Sequence, residues 1–293
     1  MIALFGKGGA GRTSVAAGLA LMAAGRGMRT LVMETDPRAP IAAAYDQAPS
    51  FKPRQLAANL WAMLLDRQQS LEEYLSFVVA RPLLRAVFAS SLYQYFVHAA
   101  PAVRELMMMG KVYHEIERRS PAEPRWDLIV VDLPASGQAL GMIAMPFAAR
   151  ATFGDNLVGR EAEAVGRFFR DRAKCAMAIV TAVDQLALTE TLEVHRKLAV
   201  LELTTAAVVF NRMSRARFAA ADVPRLVAHG SSPYRAEFTA LAQADLKRRI
   251  RERRALGILR RAIAAPVIQL GEYPGRSGTA LATSLAEQLA GIN

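Results

Sequence analysis

Near the start of the chain, Gly6-Lys7-Gly8-Gly9-Ala10-Gly11-Arg12-Thr13-Ser14 combines small residues, two cations and two hydroxyls within nine positions. Small residues let a backbone turn tightly and point successive N–H groups at one spot, and a helix that begins directly after the turn adds its own unpaired N–H groups. Such a turn is a seat for phosphate oxygens. Gly6 and Gly11, followed by a cation and a hydroxyl residue, match the phosphate-loop spacing G-x-x-x-x-G-K-[ST], with Arg12 standing where the pattern has lysine. A guanidinium keeps the positive charge, but its planar fork does not reproduce a compact ammonium under the β- and γ-phosphates. We therefore expect Gly6, Gly8, Gly9, Ala10, Gly11, Arg12, Thr13 and Ser14 to contact a nucleotide, with slow hydrolysis in this pocket.

The elements that must hold this loop are legible around it. Ile2 to Phe5 read as a short apolar strand and Thr13 to Ala24 as an alanine-rich helix, and Thr30 to Met33 read as a second strand running into Glu34-Thr35-Asp36-Pro37. Two parallel strands joined by a helix put the residues at the second strand's carboxyl end beside the phosphates. Asp36 is thus a candidate for chemistry there, or a cap for a helix beginning near Pro37. Trp126 to Asp132 is the clearest strand, a continuous apolar run of the kind a parallel strand buried on both faces needs. Its terminal Asp132 is placed to reach an Mg²⁺-bound water. Leu133 to Gln138 follow as a small-residue loop able to change conformation with a γ-phosphate, and Ala139 to Met145 read as a short helix before Pro146.

Further strands are expected at Cys175 to Thr181, Ala206 to Phe210 and Pro266 to Leu270, and helices at Thr189 to Leu201 (capped by Thr189), Tyr234 to Ile263 and Thr279 to Leu289. Asn211, at a strand end, carries an amide that can donate to and accept from a purine edge, or can simply terminate the strand. From Leu56 to Glu117 apolar residues recur at helical spacing: Leu60, Met63 and Leu64, then Leu71, Tyr74, Leu75 and Val78, then Leu83, Leu84, Val87 and Phe88. Met107 to Met109 fit either core filling or an adaptable groove. The fold expected is α/β, a doubly wound and mostly parallel sheet flanked by helices, forming one domain over 1–293 with a helical insertion at about 55–120.

The 293 residues carry a formal net charge of +11, 53% hydrophobic and 22% charged residues, and one cysteine, Cys175. A lone cysteine excludes an internal disulfide and a Cys-x-x-Cys metal clamp, and with no leader ahead of the first strand it leads us to expect a cytoplasmic protein. The charge, concentrated in Lys247, Arg248, Arg249, Arg251, Arg253 and Arg254, fits a phosphate or lipid patch, with peripheral membrane contact, or a solvated helix face.

Taken together, the motifs resemble those of a known family. Gly6-Lys7-Gly8-Gly9-Ala10-Gly11, with lysine directly after the first glycine, resembles the deviant phosphate loop of the MinD/ParA/ArsA class of dimeric P-loop NTPases. Glu34-Thr-Asp-Pro-Arg-Ala-Pro-Ile-Ala-Ala-Ala-Tyr45 is similar to switch I of the ArsA/GET, or anion-transporting ATPase, branch. Asp132-Leu-Pro-Ala-Ser-Gly-Gln-Ala-Leu140 is similar to its switch II, and Phe210-Asn211-Arg212 to its adenine site. Ala100 to Lys111 and Leu188 to Leu192 resemble bacterial anion-transporting ATPase-like members, some of which pair unlike subunits. The resemblance implies ATP/ADP and Mg²⁺ as cofactors and a nucleotide sandwiched in a dimer. Lys7 would cross to the partner's nucleotide, Thr13 would ligate Mg²⁺, Asp36 would orient the attacking water, and Asp132 would hold the metal's water shell. Asn211 with Arg212 would read adenine, and Pro134, Ser136, Gly137 and Gln138 would form switch II.

Gln138 and Ala39 stand where that branch has histidines, which with Arg12 favours a subunit of low turnover. It would complete a paralogue's site in trans through Lys7, in a homodimer or a heterodimer. The principal expectation is an ATPase that couples nucleotide-driven opening and closing to a hydrophobic protein client. A ParA-like role on DNA is the further alternative, and the long helical insertion argues against nucleic acid.

Overall fold

A computed structural model of the chain describes residues 1–78, 101–117, 126–216, 218, 219, 221 and 235–292. Its strands are β1 (Ile2–Gly6), β2 (Thr30–Glu34), β3 (Arg54–Ala57), β4 (Leu60–Leu64), β5 (Leu128–Asp132), β6 (Ala176–Thr181), β7 (Thr205–Met213) and β8 (Val267–Gly271). Its helices are α1 (Arg12–Gly25), α2 (Pro40–Ala43), α3 (Arg67–Val78), α4 (Pro101–Glu117), α5 (Ser136–Phe153), α6 (Leu157–Arg170), α7 (Gln185–Val200), α8 (Arg235–Ala262) and α9 (Gly278–Ala290). The strands form one eight-stranded sheet in the order β3-β4-β2-β5-β1-β6-β7-β8. Every pairing is parallel except that of β3 with β4.

A strand with helices on both sides has no polar face, and the pleat sends alternate residues of β1 into two separate cores. Ala3 and Phe5 pack with Met108 and Met109 of α4, Ile143 of α5, Phe168 of α6 and Leu198 of α7. Leu4 packs on the opposite face with Val15, Ala16 and Ala20 of α1 and Leu285 and Leu289 of α9. Helices α1 and α9 approach so closely at Gly18 that a Cβ there would lie 2.7 Å from that of Leu285. Leu256 and Leu259 of α8, with Ile263 just after it, pack with Val208 and Phe210 of β7.

The connection from β1 leads outward to β2, β5 returns to lie between them, and β6 continues on the other side. The carboxyl ends of β1, β2, β5 and β7 therefore open at the reversal of strand order, where open α/β sheets hold their ligands.

Three expectations are corrected in detail. Residues 54–64 are not helical: Leu60 to Leu64 pair in register with Thr30 to Glu34, and helix begins only at Arg67. An apolar run of five fits either period when it is buried, and the open edge of β2 decides it. Readings at 79–100 lie outside the described residues. Pro146 does not follow a short helix but lies inside α5, where burial of Met142, Ile143, Pro146 and Ala149 outweighs the missing donor. Helix α7 starts four residues before Thr189, capped by Asp184, which accepts a hydrogen bond from the Leu186 N–H at 3.1 Å.

Met107, Met108 and Met109 are buried in the core, in line with gap filling. Within the basic run, Arg248 bonds Glu252, Glu272 and the Arg212 carbonyl, and Arg249 bonds the Phe218 carbonyl. These two arginines act within the fold. Among the described residues no helix is long and apolar enough to cross a membrane.

Candidate nucleotide-binding site

The loop between β1 and α1 is built by close approach. Gly6 abuts β6, and a Cβ on it would lie 2.5 Å from the Val180 carbonyl oxygen. Gly11, the N-cap of α1, has φ 85°, a left-handed conformation that disfavours side chains, and a Cβ on it would meet the Asn211 amide nitrogen at 2.4 Å. Between them the Ala10 N–H closes a turn onto the Lys7 carbonyl at 3.1 Å. No side chain caps α1, so its first N–H groups remain for an anion. Gly8 and Gly9 are exposed, Ala10 is buried, and Gly11 to Ser14 are half-buried.

Arg12 does not extend along this loop. Its Nε donates to Asp132 Oδ1 at 2.7 Å, and its Nη1 donates to the Gly6 carbonyl at 3.0 Å and to the Pro134 carbonyl at 2.9 Å. One guanidinium thus ties the end of β1, the end of β5 and the loop that follows. The Thr13 hydroxyl donates to the other oxygen of the same carboxylate, Asp132 Oδ2, at 2.6 Å. Only 3% of the Asp132 side chain is exposed, against 15% for Arg12. An ion pair this enclosed is held by geometry and hydrogen bonds together.

Mg²⁺ takes a rigid six-oxygen shell and retains several of its waters. The sequence expectation needs Asp132 to accept from one of those waters while Thr13 binds the ion. Structurally the two residues do come together, but each carboxylate oxygen already has a donor and a permanent cation stands beside them. This donor set does not fit a divalent ion held between Thr13 and Asp132. Among the described residues no group of three or more histidine, cysteine or acidic side chains is arranged to hold a metal elsewhere.

Lys7 leaves the loop on its solvent side and is paired with Asp184, the cap of α7. That ammonium holds the Asp184 carboxyl below its ordinary value. Asp36 is gripped by Arg38, whose Nε and Nη2 reach its two oxygens at 3.0 and 2.6 Å and whose backbone N–H adds a third bond. These bonds bring the Asp36 carboxyl down to about 2. The segment expected to form switch I is held by Glu34, which is buried and accepts from the N–H groups of Ile41 at 2.6 Å and Ala42 at 3.1 Å. Burial raises its carboxyl to about 7. Thr35 donates to the Asp132 carbonyl at 2.8 Å, fastening the switch to β5. Ala39 is buried with φ 42° at the start of α2.

Asn211 lies buried behind the loop, and its amide donates to the Ala10 carbonyl at 2.9 Å. With Ser14, Arg212, Tyr273, Pro274 and Arg276 it borders a cavity of about 190 Å³, and Arg212 itself has φ 58°. In the segment expected to form switch II, the Pro134 carbonyl accepts from Arg12, and Gly137 and Gln138 are exposed. Ser136 is buried with its hydroxyl unpartnered among the described residues.

The arrangement thus gathers Gly6 to Ser14, Asp132, Pro134 and Asn211 at one end of the sheet, with Lys7 and Asp36 engaged by partners at its margins. Sequence reasoning missed Asp184, Arg38 and the capping role of Glu34. Asp184 carried a signal, an aspartate directly before a helix. Arg38 lies two residues from its partner, and its role depends on the local turn in which the Ala39 N–H bonds the Asp36 carbonyl.

Known proteins resemble this chain in sequence. ATPase BagA of Mycobacterium tuberculosis is 27% identical over 215 residues, covering 71% of this chain and 63% of that protein. ATPase ASNA1 homolog 1 of Paramecium tetraurelia is 27% identical over 143 residues, covering 48% of this chain and 42% of its own length. An uncharacterised protein of Streptomyces coelicolor is 32% identical over 143 residues, covering 48% of this chain and 35% of its own. The chain therefore spans less than two thirds of the length of these curated relatives. The family model described as anion-transporting ATPase matches residues 1–158, which contain the glycine-rich loop and the Arg12–Asp132 pair. More than half of the sequence fits that model, and the chain belongs to the anion-transporting ATPase family.

Proposed function

We propose that this chain is a nucleotide-binding subunit of an ATP-driven dimer, with slow turnover in its own pocket and with Lys7 offered to a partner's nucleotide. The observation that carries the reading is the position of the Arg12 guanidinium, bonded to Asp132 and to two backbone carbonyls. Phosphoryl transfer to water depends on positioning and on charge neutralisation at the γ-phosphate. The cation of this loop is engaged by its own protein, and the candidate water-orienting Asp36 is neutralised by Arg38. What remains for catalysis is Lys7, at the solvent side of the loop and held by an exposed aspartate that a partner can displace.

The chain's own residues then act as follows. The N–H groups at Gly11 to Ser14 receive the phosphates, Asn211 holds the loop in shape from behind, and the cavity beside Ser14, Tyr273 and Arg276 takes the base. The switch segments, fastened to β5 through Thr35 and to the loop through Arg12, report nucleotide to the rest of the molecule. A homodimer and a heterodimer with a paralogue both satisfy this arrangement, and Ala39 and Gln138 favour the heterodimer.

A second reading, a self-sufficient ATPase that moves a hydrophobic protein client, is supported by a separate feature. A cavity of about 580 Å³ opens between α3, α4 and α6, bordered by Tyr74, Phe77, Leu106, Met107 and Val158. Phe77 is 61% exposed at its rim, and an apolar recess of this kind suits an apolar ligand.

Phosphate release by the purified chain separates the two readings. We expect saturable binding of ATP with turnover near background, and nucleotide affinity unchanged in Lys7→Ala. A stable nucleotide-bound dimer of the chain alone, turning over at a rate that Lys7→Ala abolishes, removes the need for a paralogue and selects the second reading.

A further inference from the structure

From the geometry around Asp132 we infer that Arg12 takes the place of the divalent cation, so that this chain binds nucleotide phosphates without Mg²⁺. The inference rests on the nucleotide-binding reading and specifies its cation requirement. Of the five N–H donors of the guanidinium, Nε is bonded to Asp132 Oδ1 and the two on Nη1 to the Gly6 and Pro134 carbonyls. These three acceptors come from two strand ends and the loop after β5, so the plane of the group is fixed before any ligand arrives. The two donors on Nη2 make no hydrogen bond among the described residues and remain available to an incoming anion. Those two donors match a phosphate oxygen pair.

The occupancy of Asp132 points the same way. Asp132 is the carboxylate that would hold the water shell of a divalent ion, and the Arg12 guanidinium already neutralises it. Arginine does not lose its proton at any accessible pH, so this cation is permanent. A hydrated dication entering beside Thr13 would face that charge at contact distance and would have to compete with Arg12 for Asp132.

Fluorescence titration of the full chain with an N-methylanthraniloyl-labelled ADP, in excess Mg²⁺ and in EDTA, tests this. The dissociation constant is expected to differ by less than about threefold between the two buffers, because the cation is built in. In Arg12→Lys, which restores a mobile point charge and frees Asp132 Oδ1, Mg²⁺ is expected to tighten binding about tenfold or more. Mn²⁺ supplies a readout independent of fluorescence: with ADP present, adding the wild-type protein does not lower its free-ion resonance below the level that ADP alone sets. Binding by the wild type that weakens about tenfold or more in EDTA, or Mn²⁺ captured together with ADP, overturns the inference and leaves nucleotide binding standing. Absence of saturable binding in both buffers overturns the nucleotide-binding reading itself and the inference with it. The wild-type titrations decide the matter even if Arg12→Lys fails to fold.

Discussion

The carboxylate of Asp184 both caps α7 and holds the Lys7 ammonium, although 177 positions separate the two residues. Lys7 must leave this bond before it can serve a second subunit. Asparagine caps a helix as well as aspartate does but carries no charge. Asp184→Asn should therefore keep the thermal midpoint of the wild type while releasing Lys7. Sedimentation velocity with ATP should show self-association, or association with a paralogue, at lower protein concentration for the variant. Equal or weaker association, or none for either protein, counts against Lys7 as an interface residue.

Arg12 and Asp132 should be strongly coupled in stability. Removing one partner of an enclosed ion pair leaves an uncompensated charge, so Arg12→Ala should cost roughly 3–5 kcal/mol in chemical denaturation. The Arg12→Ala/Asp132→Ala double variant should recover part of that loss, because the stranded carboxylate is gone. Additive single effects would mean that the pair contributes nothing beyond its parts.

Glu34 makes stability fall as pH rises. Its carboxyl is raised from 4.5 to about 7 by burial, so between those values the folded protein retains a proton that the unfolded chain has lost. The contribution is fully present below pH 4.5 and is lost as pH rises through 7, on the order of 3 kcal/mol in all. Asp36 acts in the opposite sense, adding stability above its ordinary value that is lost as pH falls toward 2. In urea titrations at several pH values from 5 to 7.5, Glu34→Gln should show a shallower decline than the wild type. Parallel pH profiles would place the titration elsewhere.

The junction of α1 with α9 leaves no room at Gly18. Gly18→Val forces its Cβ against Leu285 and should destabilise by about 1–3 kcal/mol through overpacking. Pairing it with Leu285→Ala should return part of the loss. A neutral Gly18→Val would show that the two helices can separate without penalty.

Much of this fold and part of the candidate site can be read from sequence, for identifiable reasons. The phosphate loop announces itself because only small residues tolerate the approach of Val180 to Gly6 and of Asn211 to Gly11. Strands such as β5 are legible because burial on both faces demands an unbroken apolar run. Leu60 to Leu64 misled for the same reason: Leu60, Met63 and Leu64 also fit helical spacing, and only the neighbouring edge of β2 selects a strand. Asp184 lay hidden behind Thr189 because both offer a capping oxygen. The bond from Arg12 to Asp132 could not be read at all, since residue type announces a cation at the loop but not the direction in which its side chain folds.

The place of β1 between β5 and β6 has a consequence for biosynthesis. Ile2 pairs with Val130 on one side and with Ala176 on the other. β1 can thus be paired on both edges only once β5 and β6 have been made, and until then it remains an apolar segment with an unsatisfied edge. Such segments are prone to aggregate while they wait.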